Sequence, residues 1–286
     1  MSRIKIAIQK KGRLSEKSRA LLKECGIKIK TGKANSLISS ATNFPVDILY
    51  LRDDDIPQYV EDGTADVGIL GENVVYETGC EVNTLRKLGF AGCRLSLAVP
   101  KGVDYQGVQF FQGKKIATSY PKLTGDYLRK NGVTAELHKI SGSVEIAPNI
   151  GLADGISDLV SSGSTLFSNG LKEVDRILVS EAIMIANKNL TAEKQAILDK
   201  ILFRLAAVQK AENNKYIVLN VPNNKIETVS AALPGMKAPT IVPLATKGWS
   251  ALHSVVSEDQ FWEVIDDLKA RGAEGILVVP IEKMIV

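Results

Sequence analysis

The chain has 286 residues, of which 45% are hydrophobic and 24% charged, with a formal net charge of +4. That balance excludes disordered, collagenous and coiled-coil chains, and no apolar run nears the ~18 residues that a membrane-spanning helix needs. The opening MSRIKIAIQKKGRLS has no signal-peptide core. The three cysteines, Cys25, Cys80 and Cys93, and two histidines, His138 and His253, show no metal-ligand spacing, which predicts a reducing, cytoplasmic setting.

In chain order, residues 3–8 alternate as a strand and residues 15–25 read as a helix with Ser15 as N-cap and Gly26 as its stop. Residues 46–51 form an apolar strand, and Asp53, Asp54 and Asp55 open a helix that ends near Gly63, where acids complement the macrodipole. Residues 66–70 predict a strand followed by a helix from Gly71, Glu72 and Asn73. Strands follow at 95–99 and 115–118, a helix at 121–130, and strands at 135–140 and 155–160. Residues 174–186 are long and β-branched, and residues 192–213 form a long helix. This alternation predicts parallel sheets covered by helices.

The C-terminal stretch has another plan. Strands at 216–221, 240–244, 251–256 and 275–280 enclose helices at 225–233 and 257–269, the second opened by a Ser257/Gln260 capping box. The order βαββαβ is ferredoxin-like.

Charge is unevenly placed. Residues 1–33 hold eleven Lys or Arg, Lys33 the last of them, and only two acids. Such a surface suits an anionic partner, although most of these cations also fit a solvated helix face. Lys10, Lys11, Gly12 and Arg13 stand apart because they lie between a strand and a helix, where α/β folds collect ligands. No aromatic residues interleave with them, which argues against nucleic acid.

The strongest local chemistry is in DGISDLVSSGST at residues 154–165. A buried strand carries Asp154 and Asp158 and ends in the hydroxyl-rich turn Ser161, Ser162, Gly163, Ser164 and Thr165. Backbone amides and hydroxyls there suit a phosphate monoester, and the carboxylates suit ribose hydroxyls or a water-bridged magnesium ion. A polar strand-to-helix turn accounts for the same pattern. Glu145 opens another helical turn, as a cleft acid or a first-turn helix acid. Arg52 directly follows a strand, aimed at phosphate or paired with its aspartates. Lys115 and Lys139 read as surface charge. No P-loop, GxSxG or HExxH is present, and nothing supports a thiolate nucleophile.

Several ordered motifs together resemble the long, hexameric form of ATP phosphoribosyltransferase: IAIQKKGRL at 6–14, RDDDIP at 52–57, GILGEN at 68–73, IATSYP at 116–121, GSVE at 142–145, GLADGISDLVSSGSTL at 151–166 and LVVPIEKM at 277–284. The resemblance covers essentially the whole chain. It implies a fold of two periplasmic-binding-protein-like α/β lobes plus a ferredoxin-like, ACT-like regulatory module. Residues 1–98 with 180–217 would form one lobe, 99–179 the second, which binds 5-phosphoribosyl 1-pyrophosphate (PRPP), and 218–286 the module.

The implied reaction joins ribose C1 of PRPP to N1 of ATP and releases pyrophosphate, the first step of histidine biosynthesis. It needs Mg2+, carried by substrate phosphates and bridged through water to Asp154 or Asp158. No protein nucleophile is implied; Glu145, Asp154 and Asp158 line the cleft. PRPP would meet Asp154, Asp158 and residues 161–165, and ATP would meet Lys11, Gly12, Arg13, Arg52, Gly71 and Glu72. Histidine would inhibit through Asn220, Thr240, Ser257 and Gly275, with AMP as co-inhibitor, in a homo-oligomer between dimer and hexamer that engages neither nucleic acid nor membrane. A solute-binding or sensor protein and a salvage phosphoribosyltransferase are the alternatives.

Overall fold

The computed structural model describes residues 2–30, 36–236 and 238–285; Lys33 of the basic set lies outside the described residues. The chain divides into two compact units, Met1–Lys23 with Ile27–Ile197, and Glu24–Gly26 with Leu198–Val286.

The first unit holds two mixed sheets. Its opening elements are β1 (Ile4–Gln9), α1 (Arg13–Glu24), β2 (Ile38–Ser40), β3 (Val46–Leu51), α2 (Ile56–Glu61), β4 (Val67–Gly71), α3 (Glu72–Thr78) and β5 (Asn83–Lys87). Then come β6 (Cys93–Pro100), β7 (Lys115–Thr118), α4 (Pro121–Lys130), β8 (Glu136–Lys139), β9 (Gly155–Val160), α5 (Ser164–Ser168) and β10 (Leu171–Ser180). The chain next returns to the first sheet as β11 (Ala182–Ala186), and α6 (Ala192–Glu212) follows. The strand orders are β2-β3-β1-β4-β11-β5 and β10-β6-β9-β7-β8.

These sheets are not purely parallel. β1 runs parallel to β3 and β4, and β7 to β8 and β9. β11 is antiparallel to both neighbours, and so is β6. The β-branched stretch at 174–186 is in fact two strands in different sheets, divided by Glu181. Its second half therefore enters the first sheet directly from the other sheet and not through a helical crossover. β6 belongs wholly to the second sheet, so an expected boundary at residue 98 would cut through it.

The central strands are apolar on both faces: Ile4, Ile6, Ala7 and Ile8 of β1 and Ala182, Ile183, Met184 and Ile185 of β11 are buried, as sheets covered on both sides require. Helix α1 begins two residues earlier than its spacing predicts. The Gly12 carbonyl accepts from the Glu16 amide at 3.1 Å, so Ser15 is inside the helix, buried, with an unpartnered Oγ, and does not cap it.

The second unit carries β12 (Asn214–Pro222), α7 (Ile226–Ala232), β13 (Thr240–Pro243), β14 (Trp249–Ser257), α8 (Glu258–Ala270) and β15 (Glu274–Pro280). The sheet is wholly antiparallel in the order β13-β14-β12-β15, the ferredoxin-like arrangement. Ile217, Leu219 and Val221 of β12 pack with Leu252, Phe261 and Leu268 in one core. By the period of a strand, Tyr216, Val218 and Asn220 face the opposite side. Ser257 caps α8: its Oγ accepts from the Gln260 amide at 3.4 Å and donates to Gln260 Oε1 at 2.9 Å.

Candidate functional site

All but one of the expected cleft residues of the first unit follow the carboxyl ends of parallel strands, the ligand-binding end of open α/β sheets. Lys11, Gly12 and Arg13 follow β1, Arg52 follows β3, and Gly71 ends β4 with Glu72 next. In the second sheet Glu145 lies in a short 3-10 turn after β8, Asp158 is near the end of β9, and residues 161–165 follow it.

These ends converge. Tyr120, in the turn after β7, has its hydroxyl pKa raised by burial and by the charges of Asp158, Asp53 and Asp54. Asp54 is raised by burial and by Asp53 and Asp55, and lowered by Arg52 and by Lys139 from the second sheet. One group of acids thus faces both sheets. Lys139, exposed at the end of β8, is close enough to Asp54 to lower its carboxyl from the other sheet. Glu77 of α3 accepts from the backbone amides of Lys122 and Leu123 at 2.9 and 3.0 Å, joining the helices that follow β4 and β7.

Among the described residues, Lys11, Arg13 and Arg52 form no ion pair with a carboxylate and are exposed, so their charge is available to an anionic ligand. Glu72 differs: it accepts from Tyr76 at 3.0 Å and faces Lys87 at 3.5 Å. Its own amide donates to the Glu181 carbonyl. It braces the point where the chain passes between sheets.

Asp158 accepts from the Leu159 amide at 2.8 Å. Burial pushes its carboxyl up to about 6; that hydrogen bond lowers it and the charge of Glu145 raises it. In the turn that follows, Gly163 has φ +82°, a left-handed conformation that favours glycine. Ser162 Oγ meets Ser164 Oγ at 3.0 Å, and the turn is largely exposed.

Asp154 does not join this group. It precedes β9, accepts from the Lys115 amide at 2.9 Å and donates its own amide to the Lys115 carbonyl at 2.8 Å. It therefore closes the amino ends of β7 and β9, about 20 Å from the turn at the rise of a strand. Its place beside the phosphate turn, and as a magnesium bridge, is corrected accordingly.

Among the described residues no three His, Cys, Asp or Glu side chains gather as a metal cage. Burial raises all three cysteine thiols, Cys25 to about 11, so none is a ready thiolate. Local sequence pattern alone does not single out Tyr120, Asp53 and Asp54 as site residues. Their signal was the shared position after parallel strands, seen only once the strand order is known.

In the second unit, Asn220 and Gly275 meet: a Cβ on Gly275, which has φ +55°, would lie 2.9 Å from Asn220 Nδ2. Thr240 pairs with His253 across β13 and β14. Ser257 pairs with Asn214, roughly 20 Å from Asn220 along the strand. It borders a separate pocket of about 200 Å3 with Met236, Val255 and Gln260. The four expected effector contacts therefore do not form one cluster within the chain.

The first unit is thus a two-sheet α/β fold in which cationic and acidic strand ends come together, and the second a small antiparallel module of ferredoxin-like order. The family model for ATP phosphoribosyltransferase (HisG) matches residues 52–207, and that of the HisG C-terminal domain matches residues 211–283. The ATP phosphoribosyltransferase of Cytophaga hutchinsonii is 58% identical over 282 residues, covering 99% of this chain and 98% of that protein. That of Bacteroides thetaiotaomicron is 56% identical over 283 residues, covering 99% and 100%. A solved HisG:HisZ complex from Thermotoga maritima matches with TM-score 0.63 and 30% identity over 71% of this chain and 96% of that one. A histidine kinase sensor domain similar to periplasmic binding proteins shares the fold at TM-score 0.50 and 12% identity, covering 73% and 90%. The chain belongs to the ATP phosphoribosyltransferase family, whose reaction is the first step of histidine biosynthesis. It is an enzyme of phosphoribosyl transfer, and among its described residues no helix is long and apolar enough to cross a membrane.

Proposed function

We propose that the cleft between the two sheets of the first unit transfers the 5-phosphoribosyl group of PRPP to N1 of ATP. What carries this reading is the convergence of Arg52, Asp53 and Asp54 from one sheet with Tyr120, Lys139 and Asp158 from the other.

The bond between ribose C1 and the pyrophosphate oxygen breaks as the N1–C1 bond forms, and positive charge builds on the ribose. Adenine is the nucleophile, so the protein supplies position and electrostatics. The turn at residues 161–165 holds the 5-phosphate. Ionised Asp158, with Glu145 beside it, faces the developing cation. Lys11, Arg13 and Arg52 meet the polyphosphates, and Lys139 is added to that set. Magnesium, a hard cation suited to oxygen donors, would be held by the substrate phosphates with Asp158 or Glu145, and would supply charge neutralisation for the leaving pyrophosphate.

The test is incubation with ATP, PRPP and magnesium in the presence of pyrophosphatase, following phosphoribosyl-ATP by absorbance and mass. Product formation supports the reading. Tight ligand binding without turnover would favour a binding protein, and turnover of a free base in place of ATP a salvage enzyme.

The second unit is proposed as the site of histidine feedback, centred on Asn220 and Gly275, with AMP as co-inhibitor at the cleft. Its open sheet face, with Leu277 and Val279 exposed, suits assembly of cytoplasmic homo-oligomers between dimer and hexamer. Thr240 and Ser257 would join one effector site only if chains meet there.

A further inference from the structure

The turn at residues 161–165 is tied to the sheet behind it by a side chain from a different strand. Arg94, on β6, donates through Nη1 to the Ser161 carbonyl at 3.0 Å. Its Nε and Nη2 both engage Glu173 of β10, each at 2.5 Å. Ser96, two residues along β6 and 1% exposed, donates to the same carboxylate at 2.8 Å. The guanidinium fork uses three separate N–H groups at once, which an ammonium on a flexible stem does not reproduce.

We propose that Arg94 and Glu173 are positioning residues that set the turn at residues 161–165 for the 5-phosphate of PRPP. This rests on the phosphate-binding reading of that turn. In a trans peptide the C=O and the following N–H point opposite ways. Holding the Ser161 carbonyl toward Arg94 therefore turns the Ser162 amide to the other side, where the left-handed Gly163 folds the chain around a ligand. Glu173 neutralises the guanidinium, and the Arg94 hydrogen bond holds the Glu173 carboxyl below its ordinary range. Arg94 thus acts as a strut on the loop backbone and not as a counter-ion for phosphate. Arg94 is 67 residues from Ser161 and 79 from Glu173, so no local sequence pattern reveals the pair.

The experiment uses the full chain and three variants, Arg94→Lys, Glu173→Gln and Thr165→Val. It measures KM for PRPP and for ATP, kcat, Tm, and inhibition by ribose 5-phosphate, which carries the 5-phosphate without the leaving group. Arg94→Lys keeps a charge for Glu173 but loses the carbonyl bond. It should raise KM for PRPP roughly tenfold, the scale of a charge-assisted hydrogen bond. Ribose 5-phosphate inhibition should weaken in parallel, with KM for ATP unchanged and kcat altered far less. Glu173→Gln retains an acceptor for Arg94 and should show a smaller rise. An Arg94→Lys enzyme with wild-type KM for PRPP overturns the proposal, as does a loss shared equally by both substrates with a lowered Tm. If Thr165→Val raises KM for PRPP and Arg94→Lys does not, only the strut fails. If neither does, the phosphate reading of the turn fails as well.

Discussion

The carboxylate of Glu77, near the end of α3, caps the amide of Lys122 at the start of α4, 45 residues on and in the layer of the other sheet. Tyr120, the residue that precedes α4, offers no side-chain cap of its own, and Pro121 fills the first helical position. The Lys122 ammonium answers by donating to the Tyr76 carbonyl at 2.6 Å. A helix cap and a link between the sheets are thus one interaction. Glu77→Ala should cost about 1 kcal/mol of stability, the usual worth of a cap. It should also raise KM for both substrates together, because it loosens the cleft and not one subsite. Calorimetry beside steady-state kinetics checks both; an unchanged Tm would show that the cap contributes nothing.

Asp158 gives a pH dependence with a definite sign. Its folded-state carboxyl is raised to about 6 from an ordinary 3.8, so between those values the folded state binds more protons than the unfolded one. Stability therefore falls as pH rises through that window, and Asp158→Asn should remove the slope and raise Tm at neutral pH. Activity runs the other way. If the carboxylate must be ionised, kcat/KM for PRPP in wild-type enzyme should fall as pH drops below about 6. Asp158→Asn should lose most activity and show no such limb.

The two aspartates of the 154–165 motif should behave differently. Asp154→Asn removes a carboxylate from the Lys115 amide and should lower Tm modestly while leaving KM for PRPP unchanged. Arg13→Ala should raise KM for a polyphosphate substrate severalfold. Equal kinetic damage from Asp154→Asn and Asp158→Asn would place the site at the wrong end of β9.

Gly275→Ala sets a methyl against Asn220 Nδ2 at 2.9 Å, on a backbone with φ +55°. Asn220 should be displaced, and the histidine concentration needed for inhibition should rise at least tenfold, with catalysis in its absence unchanged. A dose–response curve for histidine on both enzymes decides this. Unaltered sensitivity would move the effector contact away from Asn220.

Much of the fold was legible where local chemistry is decisive. Pro121 and the basic pair Arg129 and Lys130 bound α4 as expected, and Gly155 through Val160 form β9 with the expected ends. Short or polar strands were less visible. β2 has three residues, and β5, NTLRK, is largely exposed, held by pairing with β11 and not by an apolar pattern of its own. Glu181 separates two strands without any glycine or proline to mark the break. The turn at residues 161–165 was readable because glycine and hydroxyls lie together. Tyr120 and Lys139 acquire meaning only from strand order, and Asp154 looks adjacent to the turn in sequence although the whole of β9 separates them.

The single-residue passage at Glu181 also orders the birth of the molecule. Every strand of the second sheet lies between residues 93 and 180, whereas the first sheet lacks β11 until residue 186 has been made. Among the described residues β5 pairs only with β11. During synthesis the second sheet is therefore complete while the first still has a gap beside β4. Domains fold as units as the chain emerges, so the half of the cleft bearing the phosphate turn should mature first. The half bearing Arg13 and Arg52 waits for a strand encoded beyond its neighbour. A nascent chain halted at residue 180 should show protease protection in 93–180 before it does in 4–87, and the opposite order would reverse this sequence of assembly.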